Sequence, residues 1–369
     1  MIDKIKLAKY ADISSDVFFE NKFKTGYSSK SNSVFYYKVI NRVYIWYFPS
    51  SCQLIINGRI IGFFKNDIGR VKNFDDLVID TGLPLEEIFN TVENNIKKAF
   101  FNKTMCAIDF CLDDFDVTYI EFCINCDVGD QTMVEAYIKM LNLLYIIKGD
   151  SRYKNFVFEE KKEFHSSLYI KPNNKYEKNT RTGSTINFYN KHNQLSKESK
   201  RGYTSEGIEL QKKSVEESKG VLRLEVQLGS QVLHQLRKSY GLSKRFKEYK
   251  CLNFAYDLIS RKVKYFFGDG ELCSFKVTKN IIVGSELSDK LKENLIKKYG
   301  SYSKLVGQQS GTYTKVKNSF TKYYEKIIKS LGITPVPIPS KWNIDRLANP
   351  IDLIERKRKI LHSIITDKD

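Results

Sequence analysis

Three short segments in the middle third of this 369-residue chain combine an apolar side with a reactive one: 119–125 (YIEFCIN), 185–192 (TINFYNKH) and 222–228 (LRLEVQL). Side chains of a β-strand point alternately to its two faces, so a period of two sorts each segment. Ile120, Phe122 and Ile124 oppose Tyr119, Glu121, Cys123 and Asn125. Ile186 and Phe188 oppose Asn187, Tyr189 and Lys191. Leu222, Leu224, Val226 and Leu228 oppose Arg223, Glu225 and Gln227. Placed in one sheet, the three segments would give one face to the core. The other face would collect two carboxylates, a tyrosine, a lysine and an arginine. That set suits metal-assisted attack of a tyrosine on a phosphodiester.

A tyrosine hydroxyl is a poor nucleophile at its ordinary pKa near 10 and needs help. A divalent cation held by carboxylates polarises the phosphate and stabilises the developing charge. Glu121 and Glu225 can supply oxygen ligands, and His192 a nitrogen. Lys191, two residues from Tyr189, is placed to stabilise the phosphate or the tyrosinate. Mg2+ or Mn2+ is the expected cofactor, because carboxylate-rich sites suit hard cations. The bland alternative for both glutamates is a pair of solvated strand residues, and for a lone histidine a structural role.

The formal net charge is +18 and the pI near 9.3, an excess that favours a polyanionic partner, nucleic acid first. The excess concentrates after the third segment, at Arg237, Lys238, Lys244, Arg245 and Lys247, with Tyr240, Phe246, Tyr249, Phe254 and Tyr256 interleaved. Regionally this reads as a DNA-binding surface, while the aromatics taken singly read as the core side of an amphipathic helix. No segment approaches the ~20 apolar residues of a membrane span, and the N-terminus lacks a signal-peptide pattern, so a cytoplasmic protein with no membrane partner is expected. Seven cysteines without a secretory signal are expected to be reduced. Cys106, Cys111, Cys123 and Cys126 superficially suggest zinc, but their odd separations on strand-like sequence send the members of each pair to opposite faces.

The elements that must position these residues read as α+β, with antiparallel strands forming a central sheet flanked by helices. Strands are predicted at 33–40 and 42–48, and a hairpin at 52–56 and 59–63 around Asn57-Gly58. An amphipathic helix is predicted over 85–101, and a second hairpin over 105–112 and 117–126. A helix through residue 147, strands at 165–170 and 185–192, a polar insertion at 195–220 and a strand at 221–228 follow. Residues 1–284 are expected to form the nicking and DNA-binding domain, with the catalytic segments within 105–228. Residues 285–369 are expected to form a helical region that binds DNA or a partner. Its helices are predicted at 285–299 and 314–331, closed by Gly300 and Gly332, with a weak helix-turn-helix signal through 303–309 and a charged surface helix at 352–359.

The runs 185–195, 221–228 and 236–242 (LRKSYGL) resemble the corresponding run of the gene II/gene X replication proteins of filamentous phages and related plasmid initiators of rolling-circle replication. Met1-Ile2-Asp3 and the stretch from Asn318-Ser319-Phe320 to Gly332-Ile333 are also similar, so the resemblance extends over most of the chain. It implies an HUH-endonuclease-like nicking domain in which Tyr189 is the nucleophile and the Arg-x-Glu strand is Arg223 and Glu225. The family's acidic strand falls on Tyr119-Ile120-Glu121, where the usual arginine and aspartate are replaced. No His-x-His pair is present; His165, His192, His234 and His362 stand apart. Tyr203 is the expected second tyrosine if two act in turn. The implied activity binds a double-stranded plasmid or phage origin, cuts one strand and holds its 5′ end as a phosphotyrosine. The displaced single strand is then rejoined. Host helicase and polymerase are implied partners, and a homodimer is left open. Two other readings are a mobilisation relaxase with the same chemistry and a non-catalytic copy-control protein.

Overall fold

The computed structural model describes residues 1–29, 32–64, 72–102, 110–148, 153–155, 167–172, 184–197, 205–307, 320 and 322–366. The strands are β1 (Ile2–Tyr10), β2 (Lys24–Ser28), β3 (Ser33–Ile40), β4 (Val43–Phe48), β5 (Gln53–Gly58) and β6 (Asp116–Asp127). They continue as β7 (Tyr153–Asn155), β8 (Ser167–Pro172), β9 (Ser184–Asn190), β10 (Val221–Leu228), β11 (Leu272–Cys273) and β12 (Arg346–Leu347). The helices are α1 (Ser15–Glu20), α2 (Phe74–Thr81), α3 (Leu85–Phe101), α4 (Gln131–Lys148), α5 (Lys191–Ser196) and α6 (Ser205–Glu217). After β10 come α7 (Ser230–Tyr240), α8 (Leu252–Phe267), α9 (Phe275–Gly284), α10 (Asp289–Gly307), α11 (Lys322–Ser330) and α12 (Pro350–Thr366).

Ten strands make one sheet in the order β2-β3-β4-β5-β1-β6-β10-β9-β8-β7, and every pairing in it is antiparallel. The fold is α+β with a large antiparallel sheet, as the sequence led us to expect. The three reactive segments are neighbours, with β10 between β6 and β9. Registers Arg223↔Tyr189, Arg223↔Asn125 and Gln227↔Glu121 place all their polar positions on one face. The opposite face carries Ile120, Phe122, Ile124, Leu222, Leu224, Val226 and Phe188, all fully buried. Helices α4 and α8 pack on these strands. Burying each such side chain stabilises the fold by roughly 1.5–3 kcal/mol, which fixes the register because a slip of one residue would expose the whole set.

Several local expectations are corrected. Asn57-Gly58 is not a turn: β5 runs through it and pairs with β4, while Ile60–Phe63 is a short 3-10 helix. Gly58 sits at φ +148° where a Cβ would lie 2.7 Å from the carbonyl oxygen of Arg42, so this glycine serves a close approach of two strands. The 105–112 half of the second predicted hairpin falls largely outside the described residues; both edges of β6 are taken, by β1 and β10. Gly300 does not end a helix. It lies within α10, where a Cβ would come 3.0 Å from the ring of Phe275, so its smallness serves packing.

Helix α3 occupies the predicted span, with acidic residues in its first turn and Ile88, Val92 and Ile96 along its buried face. The charged stretch at 352–359 is not only a surface helix. It belongs to α12, which buries Leu353, Ile354 and Leu361 and whose Lys357 pairs with Asp75, at 3.1 Å, and with Asp76. Strand β12 pairs with β11, so contacts cross the expected boundary at 285. No helix among the described residues is long and apolar enough to cross a membrane.

Candidate active site

The polar face over β6, β10 and β9 opens into a cavity of about 440 Å³, lined by Asp3, Arg42, Arg59, Glu121, Tyr189, Lys191 and Glu225 together with Ser167, Asn187, Asn190, Asn193, Gln194 and Lys197. At its floor Arg223 is fully buried. Its Nε donates to Glu225 Oε1 at 2.8 Å, one terminal nitrogen donates to Asn125 Oδ1 at 3.2 Å, and the other to Asp3. The Tyr189 hydroxyl donates to the same Glu225 Oε1. Arg59 reaches Asp3 from the far side at 2.6 Å. The arginine therefore fixes the carboxylate that accepts the tyrosine's hydrogen bond, and a buried guanidinium held this way has little freedom to move.

Asp3 was not singled out as a functional residue from the sequence, and the reason is a β-bulge. Ile2 pairs with Phe122 and Ile5 with Ile120, but between them both Asp3 and Lys4 stand against Glu121 alone. The extra residue breaks strict alternation and turns Asp3 toward Arg223 instead of into the core. Arg59 was missed because its segment was read as a strand.

Electrostatics follow from burial and neighbours. Desolvation opposes the charge on Asp3, yet Arg223, Arg59 and Lys191 outweigh it and hold the carboxyl well below its usual range. Burial, then Glu225 and Asp3, push the Glu121 carboxyl up to about 7. Burial and the Glu225 charge hold the Tyr189 phenol far above its ordinary value, although Arg223 pulls the other way. Burial, with Arg223 and Arg59, pushes the Lys191 ammonium well below its ordinary value. The phenol thus stays protonated at neutral pH and requires a proton acceptor to react.

The predicted residues fare differently. Tyr189, Glu225 and Glu121 come together; Glu121 is diagonal to Glu225 across the β6–β10 pair and accepts from Tyr119. Lys191 is not on a strand: Asn190 caps α5 by accepting from the Asn193 amide at 3.0 Å, and Lys191 opens that helix. Its ammonium still lies 5.8 Å from the Tyr189 ring centre and donates to Gln194 at 2.8 Å. His192 does not join the carboxylates. Its Nδ1 meets the Val215 carbonyl of α6 at 2.8 Å, and the ring is not part of the cavity wall. Arg223 is corrected from a DNA contact to a positioning residue, since it has no exposed surface. Arg237 is half-buried, and its guanidinium donates to the Tyr249 hydroxyl and the Val117 carbonyl.

Lys238, Lys244, Arg245 and Lys247 are exposed. Phe246, Tyr249 and Tyr256 among them are buried, so the interleaved aromatics are largely core. The chain here is anchored to the start of β6 by bonds from Val117 to Lys244 and from Phe246 to Phe115. Tyr203 and His165 lie outside the described residues. Among the described residues no group of three or more His, Cys, Asp and Glu is close enough to hold a metal ion. No protein-family model, curated protein or solved structure matches this chain.

Proposed function

We propose that this protein is a rolling-circle replication initiator that nicks one strand of its origin through Tyr189. The observation that carries the reading is the shared Glu225 oxygen, which binds the Tyr189 hydroxyl while Arg223 holds it in place, beside an open polar cavity. In the reaction the Tyr189 oxygen attacks phosphorus and its proton passes to Glu225. The bond from phosphorus to the 3′ oxygen breaks and that oxygen takes a proton from water, leaving a 5′-phosphotyrosine and a 3′ hydroxyl. Lys191, close to the tyrosine ring, places its amino group where it can hydrogen-bond the reacting phosphate. Asn187 Oδ1 and Asn190 Nδ2 face this region buried and without a hydrogen-bond partner among the described residues, which suits a polar ligand seated between them.

The donor set fits a hard cation of few protein ligands. Glu121 and Glu225 would hold it; burial first, and then the Glu225 and Asp3 charges, push Glu121 up to about 7, and a divalent ion would offset both by supplying positive charge beside the carboxylates. When bound, Mg2+ or Mn2+ supplies positive charge at the scissile phosphate. Exposed Lys238, Lys244, Arg245 and Lys247 would contact duplex phosphates. They flank the start of the strand that carries Glu121, roughly 17 Å along β6 from Asp116 at the extended rise.

The test is end chemistry on supercoiled DNA of the protein's own replicon. The reading predicts a nick whose 3′ end a polymerase extends and whose 5′ end is blocked until protein is digested away. A nick with a free 5′ end would exclude the tyrosine pathway, and tight binding with no nick would favour the non-catalytic binder.

A further inference from the structure

The polar face does not stop at the cavity. Direct pairings carry it across β1 and β5 to β4 and β3: Tyr119↔Lys6, Lys6↔Asn57, Asn57↔Tyr44 and Tyr44↔Val39 all share it. On β3 and β4 this face changes character and presents Phe35, Tyr37, Tyr44, Trp46 and Phe48, none of them buried. Tyr44 stacks on Trp46 with centroids 5.2 Å apart and planes at 16°. Phe35 stacks on Phe48 at 5.3 Å and 29°. The Phe35 ring lies over Gly26 of β2, where a Cβ would be only 2.4 Å from it, so the glycine leaves room for the ring to lie across the neighbouring strand.

We infer that this row of rings is a docking platform for the bases of single-stranded DNA, continuous with the cavity that holds Tyr189. The inference rests on the nicking reading for the choice of DNA. Rings lying on an open sheet offer stacking surface to unpaired bases, whereas the bases of a duplex have theirs covered. The charge complements it: Lys24 pairs with Tyr37 at the outer side of the platform, and Lys4 and Lys6 lie on β1 between the platform and Glu121. From β4 to β9 is five strand spacings, roughly 24 Å, or on the order of seven nucleotides at the stacked rise. A strand leaving the nick across β1 would thus meet lysines first and rings next.

The chain has two tryptophans, Trp46 and Trp342, so Trp342→Phe leaves one reporter in the platform. In that background, with Tyr189→Phe added to prevent nicking, a labelled oligothymidylate of about 16 nucleotides should quench Trp46 emission on binding. Tyr44→Ala should weaken binding of the same oligonucleotide about tenfold, with duplex binding unchanged. Unchanged emission at saturation, or wild-type affinity in Tyr44→Ala with a native circular dichroism spectrum, overturns the platform. Emission that responds to protein concentration and not to oligonucleotide overturns it too, in favour of a second copy on this face. None of these outcomes depends on nicking, and a working nickase without quenching would retire the platform alone.

Discussion

The two ends of one sheet face use aromatic side chains in opposite ways. Around β10, the Tyr189 and Tyr119 hydroxyls are tied to Glu225 and Glu121, and the charges beneath them are buried. On β3 and β4 the rings of this face are stacked on each other and none is buried, with Tyr44 40% exposed. Buried charges persist only where each has partners, so the cavity end is over-determined by Arg223, Asp3 and Arg59. The platform end rests on ring stacking, so substitution there is expected to cost less stability. If the cavity carries the chemistry and the platform the recognition, mutations should separate the two, and four measurements test that contrast.

The largest effect is expected on catalysis at the cavity end. Tyr189→Phe should lower covalent nicking by on the order of 10³ or more while leaving single-strand affinity intact. Affinity falling in parallel would mean that the tyrosine binds instead of reacting. Next comes stability. Arg223→Met leaves Glu225 buried without its cation and should cost about 3–5 kcal/mol in urea unfolding. Trp46→Ala, on a half-exposed ring, should cost far less; equal losses would erase the contrast.

The third effect is a pH dependence. The Glu121 carboxyl stands near 7 in the fold against 4.5 for a free glutamate, so the folded state binds the extra proton. Its contribution is fully present below about 4.5 and is lost as pH rises through about 7, on the order of 3 kcal/mol in all. Asp3, whose carboxyl is held low, changes only below its free value of 3.8, outside that window. Between pH 5 and 8, Glu121→Gln should therefore flatten the fall in stability seen in the parent, and Mn2+ should restore stability at pH 8 in the parent only. A fall unchanged in Glu121→Gln would assign it elsewhere.

The smallest effect concerns duplex DNA. Charge reversal at Lys244 and Lys247 should weaken duplex binding and lower its salt slope by about one unit per lost contact. Single-strand quenching of Trp46 should barely change.

Much of the cavity end was legible in the sequence because period-two alternation is a strong signal where one face is apolar, as it is along 120–124, 186–188 and 222–228. What failed did so for local reasons. Asn57-Gly58 carries a turn signal but was taken up by a close strand approach. The predicted strand over 185–192 ran past Asn190 because its capping bond to Asn193 is invisible without three-dimensional context, which misplaced Lys191 and His192. Asp3 was hidden by a bulge. The platform was missed for a different reason. In 33–40 and 42–48 both faces carry aromatic rings, so alternation could not say which rings are exposed.

The proposed function stands or falls on a covalent bond between Tyr189 and DNA. Supercoiled DNA of the protein's own replicon, incubated with the protein and Mg2+ or Mn2+, is denatured in SDS, and the DNA-linked peptide is sequenced by mass spectrometry. The expected adduct is a DNA 5′-phosphate on Tyr189. An adduct on any other residue, or nicked DNA that carries no peptide, would contradict it.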